Sequence, residues 1–246
     1  MRCMLATFIL IASILIGSLS FGQSPGELIY MAEDYPPANY LKDGEITGAS
    51  VEILKLIWEK MGHPEQPIII IPWARGYRQV QTEPNHVLFS MSRTKEREQL
   101  FKWVGPIFTA RQVLVGLADK NYQLDKLDDA KPFRIGTIKQ DIGECVLFRN
   151  GFDNLESVSG LDHNIKKLLA GRVDLICQSE SAINSYIEME DLDPRQLQTV
   201  LVVNELGTYY AFNKQVPDSL VMQFQTALEV LEERRLDILQ QYGIKP

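Results

Sequence analysis

The sequence predicts an α/β protein folded as two lobes, and three observations carry that expectation. Short runs rich in β-branched residues alternate with short segments of helical period, the pattern of a parallel sheet with right-handed crossovers. The alternation stops at a polar, charged connector over residues 121–132 and restarts at residue 133. Two late strand runs, 198–203 and 208–212, then carry the chain back toward the first lobe. The expected division is lobe 1 from residues 27–110 and 206–246, and lobe 2 from residues 111–205. Each lobe should be a mixed sheet flanked by helices, with two crossover segments joining them. At 246 residues and 28.0 kDa the chain has ample material for both cores.

Residues 1–22 read as a secretory signal. Arg2 precedes an apolar run over residues 4–17, and Ser20 and Gly22 offer small side chains at the −3 and −1 positions of a cleavage site after Gly22. The apolar run is shorter than the about 20 residues a membrane span needs, so no stable membrane insertion is expected after removal.

Residues 28–32 (LIYMA) form the first expected strand, followed by a loop over 33–37 pinned by Pro36 and Pro37. Asp43-Gly44 marks a turn. A helix follows over 49–61, with Val51, Leu54, Ile57, Trp58 and Met61 on one stripe and Gly62 at its end. Residues 67–71 (PIIII) read as a fully buried strand, too short and too β-branched for a helix. Ligands of α/β sheets sit beyond the carboxyl ends of the strands. Trp73 and Arg75, directly after that run, are therefore candidates for a stacking face and an anion contact; a core tryptophan and a surface arginine are the alternative.

Residues 86–92 (HVLFSMS) should be a strand that becomes half-buried at its end. Thr94 should open a short charged helix over 94–101, which Gly105-Pro106 stops before Phe108. Free backbone donors, the small hydroxyls of Ser90 and Ser92, and Arg97 in the first helical turn together suit a carboxylate or another small anion. Taken alone, Arg97 is equally one of several charges on a solvated helical face. Beyond a strand over 111–117, the second lobe should contain strands over 133–138, 155–158 and 172–177. They should alternate with helices over 141–149, 161–170 and 180–188. Pro217 should start the final helix, striped by Leu220, Phe224, Ala227, Leu228 and Leu231.

Composition removes several functions. Net charge is −7 and no basic run exists to neutralise phosphates, so no nucleic-acid partner is expected. His63, His86 and His163 lack companions at zinc-ligand spacing, and no nucleophile elbow, P-loop or dinucleotide fingerprint is present. No metal and no cofactor is therefore expected. Glu33-Asp34 could serve as an acid/base pair, but adjacent carboxylates in a proline-rich loop read as solvated. No catalytic constellation is visible, so an enzyme is not expected. Cys145 and Cys177 both fall in lobe 2, and either a disulfide or two free thiols is compatible with the sequence.

The run S-M-S-R-T-K-E-R over residues 90–97 resembles the segment of family 3 periplasmic solute-binding proteins, the polar amino acid-binding type, that holds a ligand carboxylate. YPPANYLKDGEITGASVEILKLIWEKMG resembles that family's opening, with an aromatic-Pro-Pro loop entering the cleft. IKKLLAGRVDLICQSESAINSYI resembles its second-lobe unit, and ILQQYG its close. The resemblance implies a two-lobed type II periplasmic-binding-protein fold in the periplasm, with hinge closure on a small molecule. It implies ligand contacts from Arg97, Ser90, Ser92, Thr94 and Tyr35, and a monomer serving an inner-membrane ABC permease or a membrane sensor. An enzyme on the same scaffold, like the cyclohexadienyl dehydratases, is the other implied reading.

Two departures bear on the ligand. Ala49 and Ser50 stand where the family has an aromatic and an Asp. Ser179 stands where the family's ammonium-binding Asp does, and a hydroxyl carries no counter-charge. The expectation is therefore a carboxylate- or other anion-bearing small molecule that is not a standard free α-amino acid. Asp141, in the altered Lys139-Gln140-Asp141-Ile142 turn, is expected to cap the helix that follows.

Overall fold

The computed structural model describes residues 23–246, so the signal segment expected over residues 1–22 lies outside the described residues. Lobe 1 is built on β1 (Ile29–Ala32), which pairs in parallel with β4 (Ile68–Ile70) on one side and β5 (His86–Ser92) on the other. A hairpin of β2 (Tyr40–Lys42) and β3 (Glu45–Thr47) turns at Asp43-Gly44. Helix α1 (Ala49–Lys60) starts from Gly48 and is closed by Gly62, whose left-handed φ lets His63 N donate to Trp58 O. Its apolar stripe is buried, and Trp58 stacks edge-on against Tyr30 at 4.8 Å.

Two 17-residue strands, β6 (Phe101–Leu117) and β10 (Leu197–Asn213), pair antiparallel with each other along nearly their whole length. Their Phe101 and Asn213 ends lie in lobe 1, where β10 pairs with β5; their Leu117 and Leu197 ends lie in lobe 2. There β6 pairs with β9 (Leu175–Ser179), which joins β7 (Ile135–Ile138) and β8 (Leu155–Val158) in parallel. The strand order is β4-β1-β5-β10-β6-β9-β7-β8. The expected lobe limits near residues 110 and 205 fall inside β6 and β10. Both lobes are mixed sheets, and the paired long strands are the two connections between them. Helices α4 (Ile142–Arg149), α5 (Leu161–Leu169) and α6 (Glu180–Met189) complete lobe 2.

Several expectations need correction. The PIIII run is an edge strand, with Ile69 47% exposed, because no strand among the described residues pairs with its outer side. Trp73, directly after that strand, opens helix α2 (Trp73–Thr82), which was not expected. The helix after Thr94 is only α3 (Lys95–Glu98), because Phe101 already belongs to β6, and Gly105-Pro106 lies within that strand. The two late strand runs are one continuous strand. Strand β9 starts three residues later than expected, after a turn held by the Arg134–Asp174 ion pair. The final helix is two, α7 (Asp218–Val230) and α8 (Glu232–Gln241). Cys145 and Cys177 are free thiols. Among the described residues no helix is long and apolar enough to cross a membrane.

Candidate functional site

The facing ends of the two lobes bring most of the expected residues together. On lobe 1, the loop after β1 folds back on itself: Tyr35 N donates to Asn39 O at 2.7 Å, and Asn39 Nδ2 donates to Glu33 O at 2.8 Å. Asn39 is fully buried, and its Oδ1 accepts from the Ser90 hydroxyl. Ser90 has φ of 60°, and its hydroxyl also bonds Ser50 Oγ at 2.9 Å. Ser90 is thus committed to lobe 1 itself and ties the Tyr35 loop to the start of α1.

Thr94 caps α3, its hydroxyl accepting from Arg97 N at 3.3 Å. That places Arg97, 5% exposed, between the rings of Trp73 and Tyr77, whose centroids lie 5.4 and 5.1 Å from the guanidinium carbon. Arg97 NH1 donates to Ser92 O at 3.3 Å, so Ser92 contributes its carbonyl to the cluster. Arg97 NH2 crosses to lobe 2 and donates to Gln140 O at 3.2 Å. The same carbonyl accepts from Trp73 Nε1 at 2.9 Å. Gln140 can present it because its φ is 62° and its N–H is held by Glu144 Oε2 at 2.5 Å. Arg97 makes no ion pair among the described residues, although Arg149 pairs with Glu96 across the lobes and Arg111 pairs with Glu180 within lobe 2.

Asp141 caps α4 as expected, accepting from Ile142 N at 2.6 Å. It has a second relation that its sequence position does not reveal. Its carboxyl and that of Glu33, on the opposite lobe, both have raised pKa values, chiefly through burial. For Glu33 the Asp141 and Asp34 charges add to the rise, and Arg97 opposes it in both. The reading of the pair as solvated holds for Asp34, which is exposed, and is corrected for Glu33, which is half-buried. Asp34 is raised as well, first by desolvation.

Tyr35 is buried, and its hydroxyl lies beside Ser179 and Ser181; burial pushes its phenol up. Ser179 is fully buried and bonds Ser181 Oγ at 2.9 Å, so it reaches the interface but brings no charge. Arg75 is not brought to this cluster. Two positions beyond Trp73 on α2, it is turned roughly 200° around the helix axis and is exposed. The contributions of Tyr77, Asn39, Gln140 and Glu33 were not expected. Only Tyr77, one helical turn after Trp73, carried a local signal.

Several cavities open between the lobes, one of about 780 Å³ between Pro37, Tyr40 and Lys42 of lobe 1 and Ser181, Asn184 and Glu188 of lobe 2, and two beside the Arg97 cluster. One, of about 480 Å³, is lined by Glu33, Asp34, Ile71, Asp162, Lys166 and Tyr186, among others. The other, of about 330 Å³, includes Arg97, Tyr77, Leu100, Ile142, Cys145 and Phe148 in its lining. No group of three or more potential metal ligands occurs among the described residues.

Residues 28–245 match the family described as bacterial extracellular solute-binding proteins, family 3. No curated protein sequence matches the chain significantly. Among solved structures, a histidine kinase sensor domain similar to periplasmic binding proteins superposes with a TM-score of 0.81 at 18% identity, covering 89% of this chain and 96% of that one. A mutant arginine-binding protein from T. maritima gives 0.79 at 17% identity, covering 89% and 95%. An arginine-, lysine-, histidine-binding protein from Geobacillus stearothermophilus gives 0.76 at 20% identity, covering 89% and 96%. At these identities the likeness is one of fold.

Proposed function

Because the chain belongs to the bacterial extracellular solute-binding proteins of family 3, we propose that it captures a small anion-bearing solute between its lobes by hinge closure and hands it to an inner-membrane ABC permease. The observation that carries this reading is Arg97. A buried charge without an ion-pair partner costs several kcal/mol; the direct contacts of this guanidinium are carbonyls and aromatic faces, and the carboxyls of Glu33 and Asp141 act on it only at longer range. An incoming carboxylate would supply the missing partner in a lower dielectric than water. Ser179 offers no charge for an ammonium. The solute we infer is therefore not a standard free α-amino acid, although amino acids are bound by several proteins of this fold and are the competing ligands to test.

Native mass spectrometry of freshly purified protein tests the reading. Wild type should carry a small-molecule adduct that Arg97→Ala loses, since removing one partner of a desolvated charged contact costs roughly 2–5 kcal/mol. Arg97→Lys should also bind less tightly, because an ammonium lacks the planar fork. Equal adduct occupancy in wild type and Arg97→Ala would refute the assignment.

A sensing role is favoured by a separate observation. The fold is shared by a histidine kinase sensor domain, so the same two-lobed module can serve signalling. Loss of a cellular response without loss of uptake in a deletion strain would select that role.

A further inference from the structure

The cavity beside Arg97 has a composition that bears on the solute. Its volume of about 330 Å³ falls at the small end of the roughly 300–1,000 Å³ usual for small-molecule sites. Lobe 1 contributes Arg97, Tyr77 and Leu100, and lobe 2 contributes Ile142, Cys145 and Phe148. Its other charged groups, Glu96 and Arg149, neutralise each other across the lobes. The Thr94 hydroxyl is occupied as a helix cap. Arg97 is therefore the one cation of this lining without an ion pair, and the walls around it are apolar. Phe148 is 73% exposed, a large apolar side chain left facing water. Glu33 and Asp34 line another inter-lobe cavity and are not part of this lining, although the Glu33 carboxyl remains within electrostatic reach of Arg97.

Resting on the reading of Arg97 as the anion site, we propose that the solute is a hydrophobic carboxylate, an aryl or medium-chain alkyl acid. Its carboxylate pairs with Arg97, and its apolar body fills the space between Tyr77, Leu100, Ile142 and Phe148. A hydrophilic amino acid placed there would set its ammonium against apolar walls, where a charge without partners is costly to bury. Burial raises the Cys145 thiol pKa and keeps it neutral, so that wall carries no anion against the solute.

Titration calorimetry with phenylacetate and hexanoate, against arginine and glutamine, tests the proposal on the full exported chain after removal of retained ligand. At least one hydrophobic acid should bind saturably, and both amino acids should not. Arg97→Ala should weaken that acid about thirtyfold or more. Phe148→Asp, at an exposed position that leaves the unfolding midpoint unchanged, should weaken it about tenfold by placing a like charge beside the carboxylate. Phe148→Leu, which keeps that wall apolar, should weaken it far less than Phe148→Asp does. Saturable amino-acid binding with no response to either acid overturns the proposal, as does wild-type affinity in Phe148→Asp. Failure of every probe also overturns it. If native mass spectrometry still shows an adduct that depends on Arg97, the anion-capture reading survives that failure; if binding is indifferent to Arg97, both fall.

Discussion

Replacing Trp73 by phenylalanine isolates the contact that joins the lobes. Trp73 is 2% exposed, and its indole N–H donates to the Gln140 carbonyl at 2.9 Å, from lobe 1 to lobe 2. Phenylalanine keeps an aromatic face toward Arg97 but offers no donor. A neutral hydrogen bond contributes about 0.5–1.5 kcal/mol net. Because this bond exists only when the lobes meet, its loss falls on the open–closed equilibrium. The ratio of closed to open molecules should then drop about 2- to 12-fold. Arg97 NH2 still donates to the same carbonyl at 3.2 Å, so the acceptor is not stranded and the lower half of that range is expected. The smaller ring also leaves a gap inside lobe 1, which lowers global stability and is measured separately by denaturant titration. Single-molecule transfer between labels on Glu59 and Asn150, both exposed and on different lobes, reads closure directly. An unchanged distance distribution in Trp73→Phe would show that this bond does not hold the lobes.

Closure should also depend on pH. Glu33 and Asp141 approach from opposite lobes with raised pKa values, so the closed form binds protons more readily than the open one. The closed form keeps its full stability below the ordinary carboxylate value, about 4.5 for Glu33, and loses it as pH rises through the raised values. Small-angle scattering should show a falling closed fraction over that window, with much of the slope removed in Glu33→Gln; a flat wild-type profile would contradict the charge placement. Gly48→Ala should destabilise the protein. Gly48 has φ of 119°, and an added Cβ would lie 2.5 Å from Ala38 O, a backbone atom with little room to yield. Strain and overlap together should cost about 2–4 kcal/mol. A loss of less than about 1 kcal/mol in chemical denaturation would mean the Tyr35 loop yields more easily than its hydrogen bonds suggest.

Much of this architecture was legible because local and tertiary demands agree. Helix α1 shows both its stripe and its closing glycine, and α4 and α6 follow strands as crossover helices must. The Ser90–Arg97 run was readable because cap, hydroxyls and arginine sit within eight residues. Helix α2 was missed because Pro72 and the preceding strand crowd its start, and Gly76 thins its stripe. Residues 231–235 (LEERR) hide the break between α7 and α8 behind charge. Strands β6 and β10 were read in pieces, since Gly105-Pro106 and Gly207 look like stops; each strand's pairing with the other carries it past them. The positions of Glu33 and Gln140 depend on how the lobes meet, and no short-range pattern encodes that.

The pairing of β6 with β10 has a topological consequence. Ala110 stands opposite Leu206, and Arg111 opposite Glu205, where an ion pair at 3.3 Å joins their side chains. The point at which the backbone departs for the far half and the point at which it returns are thus neighbours across one ladder. Everything between them is a closed excursion, and a tight turn spliced from Ala110 to Leu206 would leave strands β4, β1 and β5 with the near halves of β10 and β6 as an uninterrupted sheet. The same adjacency couples the two connecting strands mechanically. Neither can bend without its hydrogen-bonded partner, so the pair flexes as a single leaf spring rather than as two independent joints.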